Sequence, residues 1–178
     1  MNAPSTRLPL TFSVYPTARG FGWIAFEGPL APYDWELVEI TKDKNVAALR
    51  RIEELIERLQ PETLVLEAFE RRNSARSDRI ANLCRALVSL AASRGVEVAI
   101  YGRRDIETCF ATVGARTRHE IAEAVARHVE GLRERLPKKR LPWNSEDRRM
   151  ALFNAAALVI THYARLSASV LDDLRDAA

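Results

Sequence analysis

The stretch Phe12–Gly28, FSVYPTARGFGWIAFEG, decides how the rest of the chain is read. Leu10, Phe12 and Val14 alternate with Thr11, Ser13 and Tyr15, the period of two that a β-strand imposes on its side chains. Pro16 then removes a backbone donor and fixes its own φ, Gly20 and Gly22 relax the turn, and WIAFEG resumes an aromatic and β-branched run. The segment reads as a hairpin closed off by Gly28 and Pro29, with Tyr15 opposite Val14 at the end of its first strand. Sites in mixed sheets form where strand ends converge. A tyrosine at such an end therefore raises the question of what it replaces.

Working outward, 178 residues suffice for a single domain that buries its own core. Apolar residues are 47% and charged residues 29%, a globular balance that excludes a disordered or fibrous chain. The opening MNAPSTRLPL lacks a basic segment followed by a long apolar one, and no later apolar run approaches bilayer length. A cytoplasmic protein with no membrane partner is expected. Cys84 and Cys109 lie in apolar helical contexts and read as thiols, not as a disulfide or zinc site. Net charge is only +3, yet the pI of 9.1 comes mainly from arginine, which pairs bidentately with phosphate. Two clusters stand out: Arg71, Arg72 and Arg76 in ERRNSAR, and Lys138, Lys139 and Arg140 in PKKR. Each alone is compatible with a solvated loop.

DWELVEI supplies a third strand. From Asn45, read as an N-cap, Leu49, Ile52, Leu55, Ile56 and Leu59 recur at helical spacing. TLVLE is a continuous apolar run that suits a strand covered on both faces, and it ends in Glu67. A helix carrying Ile80, Leu83, Leu87 and Leu90 follows, stopped at Gly95, and VEVAI is a fifth strand. A short helical stretch covers Ile106 to Phe110. TRHE at 117–120 matches a capping box opening a long helix through Ile121, Val125, Val129, Leu132 and Leu136. LPKKRLPW breaks it, and a last helix is expected from Ser145 through EDRRMALFNAAALVITHYAR. Three strands, then helices alternating with two more strands, predict an α/β chain: a mixed sheet with helices on both faces. The expected division is an arm at 1–9, a domain at 10–166 and an acidic tail at 167–178.

Three elements converge on a site in such a fold. The first strand brings Tyr15, the fourth brings Glu67, and the last helix brings Asp147, Ala151 and Asn154, whose spacings of four and three put them on one helical face. A carboxylate ending an apolar strand asks for an explanation: Glu67 points past the sheet into water, pairs with a nearby arginine, or binds a metal. Asn154 also reads as a hydrogen-bonded core amide, and Asp147 as an acid favoured by the helix dipole.

The strand FSVYPTARGFGWIAF, the strand TLVLEAF and the helix FNAAALVITHY together resemble the RuvC-type Holliday-junction resolvases of the RNase H-like nuclease superfamily, over about residues 10 to 166. That resemblance implies a five-stranded sheet of order 3-2-1-4-5, a homodimer, and two magnesium or manganese ions held by four carboxylates that cut a phosphodiester. In this chain the four acidic positions fall on Tyr15, Glu67, Ala151 and Asn154, so one acid remains. Pro16, Ala155 and His162 stand where the family pattern has them. A phenol with an ordinary pKa of about 10 does not replace a bridging aspartate, and magnesium prefers hard anionic oxygens.

The leading expectation is a RuvC-like pseudoenzyme that binds branched or double-stranded DNA in DNA recombination without a metal cofactor. Its contacts would come from Arg19, Arg71, Arg72, Arg76, Lys138, Lys139 and Arg140. One alternative is an active magnesium- or manganese-dependent structure-selective endodeoxyribonuclease with a shifted acid set, the metal held by Glu67, Asp147 and Asn154. Another is a structural or regulatory module without DNA affinity. On the leading expectation, Tyr15→Asp with Asn154→Asp restores metal binding.

Overall fold

The computed structural model describes residues 8–70 and 76–176. Strands β1 (Thr11–Thr17) and β2 (Gly20–Phe26) form the expected antiparallel hairpin, with Thr17 opposite Gly20 and Tyr15 opposite Gly22. Strand β3 (Pro32–Glu39) pairs antiparallel on the outer side of β2. Strand β4 (Thr63–Glu67) runs parallel to β1, and β5 (Glu97–Tyr101) runs parallel to β4. The sheet order is β3-β2-β1-β4-β5, as the resemblance implied.

Period-two alternation sorts the two faces of the sheet. Phe12, Val14, Phe21, Trp23, Leu64 and Leu66 pack against helices α1 (Lys44–Leu59) and α2 (Asp78–Ser93), with Phe12 and Trp23 edge to face at 5.7 Å. Tyr15, Ile24, Phe26 and Val65 face the other way, against α3 (Arg103–Ala111), α4 (Arg118–His128) and α5 (Met150–Asp176). With apolar residues buried on both faces, the central strands read as continuous hydrophobic runs, which is why TLVLE shows no alternation.

Gly22 is required by packing. A Cβ there would lie 2.7 Å from the Ala151 carbonyl carbon and 2.8 Å from the Leu152 nitrogen, so the first turn of α5 rests directly on β2. That contact sets α5 against the end of the sheet where Tyr15 stands.

Three local expectations are corrected. Asn45 is not the cap of α1: the helix opens after Asp43, which has a left-handed φ of 45° and makes no side-chain cap bond. The Asn45 amide instead donates to the Arg79 carbonyl and accepts from the Arg79 guanidinium, both at 2.9 Å, clipping α1 to α2. The capping box of Thr117 and Glu120 forms as expected, but α4 ends at His128 and does not reach Leu136. Gly131 adopts φ +83° with the Trp35 ring packed where its Cβ would be, at 2.7 Å, and a short 3-10 turn at Arg133–Arg135 replaces the helix. The last helix begins at Met150, not Ser145. The Asp147 carboxylate accepts from the Arg149 backbone N–H at 2.9 Å and the Met150 N–H bonds the Asp147 carbonyl at 3.0 Å, so Asp147 caps a tight turn ahead of the helix.

Candidate functional site

The parallel pairing of β1 with β4 runs as far as Ser13 opposite Val65, and Tyr15 and Glu67 each stand two residues beyond it. The chain leaving β4 returns at Arg76, immediately before Ser77, whose hydroxyl caps α2 by accepting from the Ile80 N–H at 3.4 Å. Arg76 turns inward. Its Nη1 donates to Glu67 Oε2 at 3.0 Å, its Nη2 donates to the Pro16 carbonyl at 2.5 Å, and its guanidinium carbon stands 4.3 Å from the centre of the Tyr15 ring. The side chains of Arg76 and Glu67 are 11% and 10% exposed, so this is an internal ion pair. Arg79, one turn into α2, donates to the Thr17 carbonyl at 2.7 Å. Two arginines from the start of α2 thus hold the end of β1.

This cluster answers the question that Glu67 posed. A buried carboxylate is tolerated when its charge is matched and its lone pairs are used, and Arg76 does both. Tyr15 contributes the face of its ring, whose negative quadrupole attracts the guanidinium. Burial, followed by the charge of Glu67, pushes the Tyr15 phenol above its ordinary value, while Arg76 and Arg118 pull the other way. The phenol keeps its proton at neutral pH.

Arg118 closes the site from the first turn of α4. Burial opposes its charge, but the carboxylates of Glu146 and Glu67 favour it, and the balance raises its pKa. It reaches Glu146 at 3.4 Å. Neither its role nor that of Arg79 was visible in the sequence: both stand in ordinary helix-opening contexts, and only the packing of α4 and α2 against the strand ends reveals them.

On α5, Ala151 is buried over Gly22, and Asn154 lies one turn further along with its Nδ2 buried and lacking a hydrogen-bond partner among the described residues. His162 is buried, its Nδ1 2.9 Å from the Tyr101 hydroxyl. Asp147 does not share a helical face with Ala151 and Asn154, because it precedes the helix. Its carboxylate is bound by Arg149 through Nε at 3.0 Å and Nη2 at 2.7 Å, and that bonding lowers its pKa.

The donor set does not suit a pair of divalent ions. Of the four positions where the resemblance expects acids, one is a carboxylate already paired with Arg76, one a protonated phenol, one an alanine and one an amide. Among the described residues no three His, Cys, Asp or Glu side chains are grouped to hold a metal ion. Magnesium displaces its waters only for a concentrated set of anionic oxygens, and here a fixed guanidinium supplies the positive charge.

Two open clefts flank this end of the sheet and share the wall formed by Asn144, Ser145, Glu146, Asp147 and Arg149. One, of about 820 Å³, is lined by Arg118, Lys138, Lys139 and Arg140. The other, of about 1100 Å³, is lined by Arg19 and Trp35. Arg19, Lys138, Lys139 and Arg140 are exposed. Arg76 is the member of the expected basic set that is turned into the protein, and Arg71 and Arg72 lie outside the described residues.

Sheet order, helices on both faces and strand ends converging on Glu67 define an RNase H-like α/β fold. Within that class the fold is RuvC-like. The chain is similar to a structure of Thermus thermophilus RuvC, with a TM-score of 0.63 and 22% identity over 89% of this chain and 96% of that one. It is equally similar to T. thermophilus RuvC in complex with a Holliday junction substrate, with a TM-score of 0.64, 21% identity and the same coverage of both chains. No protein-family model and no curated protein matches the sequence. No helix among the described residues is long and apolar enough to cross a membrane.

Proposed function

We propose that this protein binds branched or double-stranded DNA on a RuvC-like scaffold and does not cut it, an arginine having taken over the electrostatic role of the metal ions. The observation that carries this reading is the Arg76 guanidinium, bonded to Glu67 at 3.0 Å and stacked 4.3 Å from the Tyr15 ring. In-line hydrolysis by two metals requires anionic ligands and a water activated between them. A buried Arg–Glu pair provides neither. Sequence-independent binding needs less, namely exposed cations near a cleft, and Arg19, Lys138, Lys139 and Arg140 meet that requirement. The similarity to a resolvase solved on its junction substrate supports branched DNA over duplex as the target. It also supports a homodimer, with two copies facing the two symmetric strands of a junction. We place that activity in the cytoplasm, in DNA recombination.

The test is a four-way junction mixed with purified protein and magnesium or manganese. Retention that weakens with salt, and no cleavage products, is the expected result. Metal-dependent cutting that disappears in Glu67→Ala would establish a working nuclease and overturn the proposal. Failure to retain junction or duplex even at low salt would instead mark a structural module.

A further inference from the structure

The segment between the 3-10 turn and α5 carries an aromatic side chain that the fold does not use. Trp143 is 78% exposed, more than any other large hydrophobic side chain among the described residues, and its neighbour Leu141 is 49% exposed. Neither belongs to either core cluster, and Trp143 lines neither cleft. Its backbone is nonetheless held. The Asn144 N–H bonds the Leu141 carbonyl at 3.0 Å, making Leu141–Asn144 a β-turn with Pro142 at the position where proline pre-sets φ. Trp143 is therefore displayed at the tip of a stiffened turn, with little order left to impose on binding.

Charge identifies what the turn is displayed to. Lys138, Lys139 and Arg140 directly precede it and are exposed. Among the described residues none of the three takes part in an ion pair, although Lys139 lies in the field of Glu120. The segment also meets the start of α4, where its Glu146 pairs with Arg118 at 3.4 Å. Clustered cations beside an outward indole match a polyanion with exposed π-faces, which is an unstacked nucleotide. A membrane interface would also accommodate an indole beside cations, and an acidic peptide would satisfy the cations, but the similarity to a RuvC solved on a junction favours the nucleotide.

We infer that Trp143 is a base-stacking residue that reads an unpaired or splayed base, while Lys138, Lys139 and Arg140 grip the adjoining phosphates. This inference rests on the DNA-binding reading above and adds the feature of the nucleic acid that is recognised. Within an intact duplex every base is already stacked, so the indole contributes only where stacking is broken, at a branch point or a single-stranded gap.

The test compares wild type, Trp143→Ala and Trp143→Phe on a labelled four-way junction and on a hairpin-closed duplex without free ends. Trp143→Ala should bind the junction about tenfold more weakly and the closed duplex almost unchanged, with Trp143→Phe keeping most of the affinity. Trp23 is buried and Trp35 partly buried, so the exposed component of tryptophan emission belongs to Trp143. It should be quenched on saturation with junction, and that quenching should vanish in Trp143→Phe. Equal junction binding by wild type and Trp143→Ala, or unchanged emission at saturation, overturns the inference and leaves the DNA-binding reading standing. Emission already shielded from acrylamide in DNA-free protein of doubled mass would assign Trp143 to a contact between copies and overturn it too. Wild type that retains neither DNA overturns both.

Discussion

Arg76 is the residue on which the centre depends. Removing one partner of a buried ion pair leaves the other charge desolvated and unmatched, which costs about 3–5 kcal/mol. Arg76→Ala should lose stability on that scale in urea denaturation, and Glu67→Gln in the same chain should recover part of it by removing the stranded charge. A loss below about 1 kcal/mol for Arg76→Ala would mean that water already screens the pair. The same geometry changes what is expected of restored acids. With the guanidinium in place, Tyr15→Asp and Asn154→Asp would acquire a cation that is already present, so the double variant should show no manganese binding by calorimetry. Adding Arg76→Ala should expose binding. Manganese binding by the double variant alone would show that Arg76 yields the position freely. Part of this was legible in the sequence, where pairing with an arginine just after β4 was one reading of Glu67. Glu67 needed a partner, but choosing Arg76 over Arg71 or Arg72 requires knowing how the chain returns from β4 to α2.

At the scale of elements, the seat of α5 on β2 is the joint that brings the helix to the site. Gly22→Ala would drive a methyl group into the Ala151 and Leu152 backbone, which cannot move without shifting the first turn of α5. Overpacking of this kind costs about 1–3 kcal/mol, which outweighs the roughly 0.4–1 kcal/mol gained by restricting the unfolded chain. Equal denaturation midpoints for Gly22→Ala and wild type would show that α5 has room to move. Further along α5, burial holds the His162 imidazole below its ordinary value of 6.5, with Glu97 opposing. The folded state therefore resists protonation more than the unfolded one. Its full stability is present above about pH 6.5 and declines as the pH falls through that value toward the lower folded pKa. Melting temperature should drop as the pH falls below about 6.5, and His162→Gln should flatten that part of the curve. The strands and the hairpin were readable because alternation is a direct print of the pleat. The ends of α4 and α5 were not. The apolar spacing runs on past Gly131 although Trp35 packs against that glycine, and EDRRM has helical composition although the Asp147 side chain captures the Arg149 N–H and begins a turn instead.

For the whole molecule, a net charge of +3 gives little long-range attraction to DNA, so on the proposed function affinity comes from where the cations stand. The sequence showed the clusters but not their availability. Folding turns Arg76 inward and spends its charge on Glu67, while Arg19, Lys138, Lys139 and Arg140 remain on the walls of the two clefts. If those four residues each neutralise one phosphate, the logarithm of the binding constant falls by about 0.9 per contact for each unit of log salt. The expected slope is about −3.6, equivalent to a loss of about 150-fold in affinity between about 50 and 200 mM salt. Arg19→Ala should reduce the slope by about 0.9, and so should Lys139→Ala, whereas Arg76→Gln should leave it unchanged because its guanidinium faces a carboxylate and not solvent. A slope that drops on loss of Arg76 but not of Arg19 would place the phosphate path over the central cluster, and the division between internal and external arginines would be wrong.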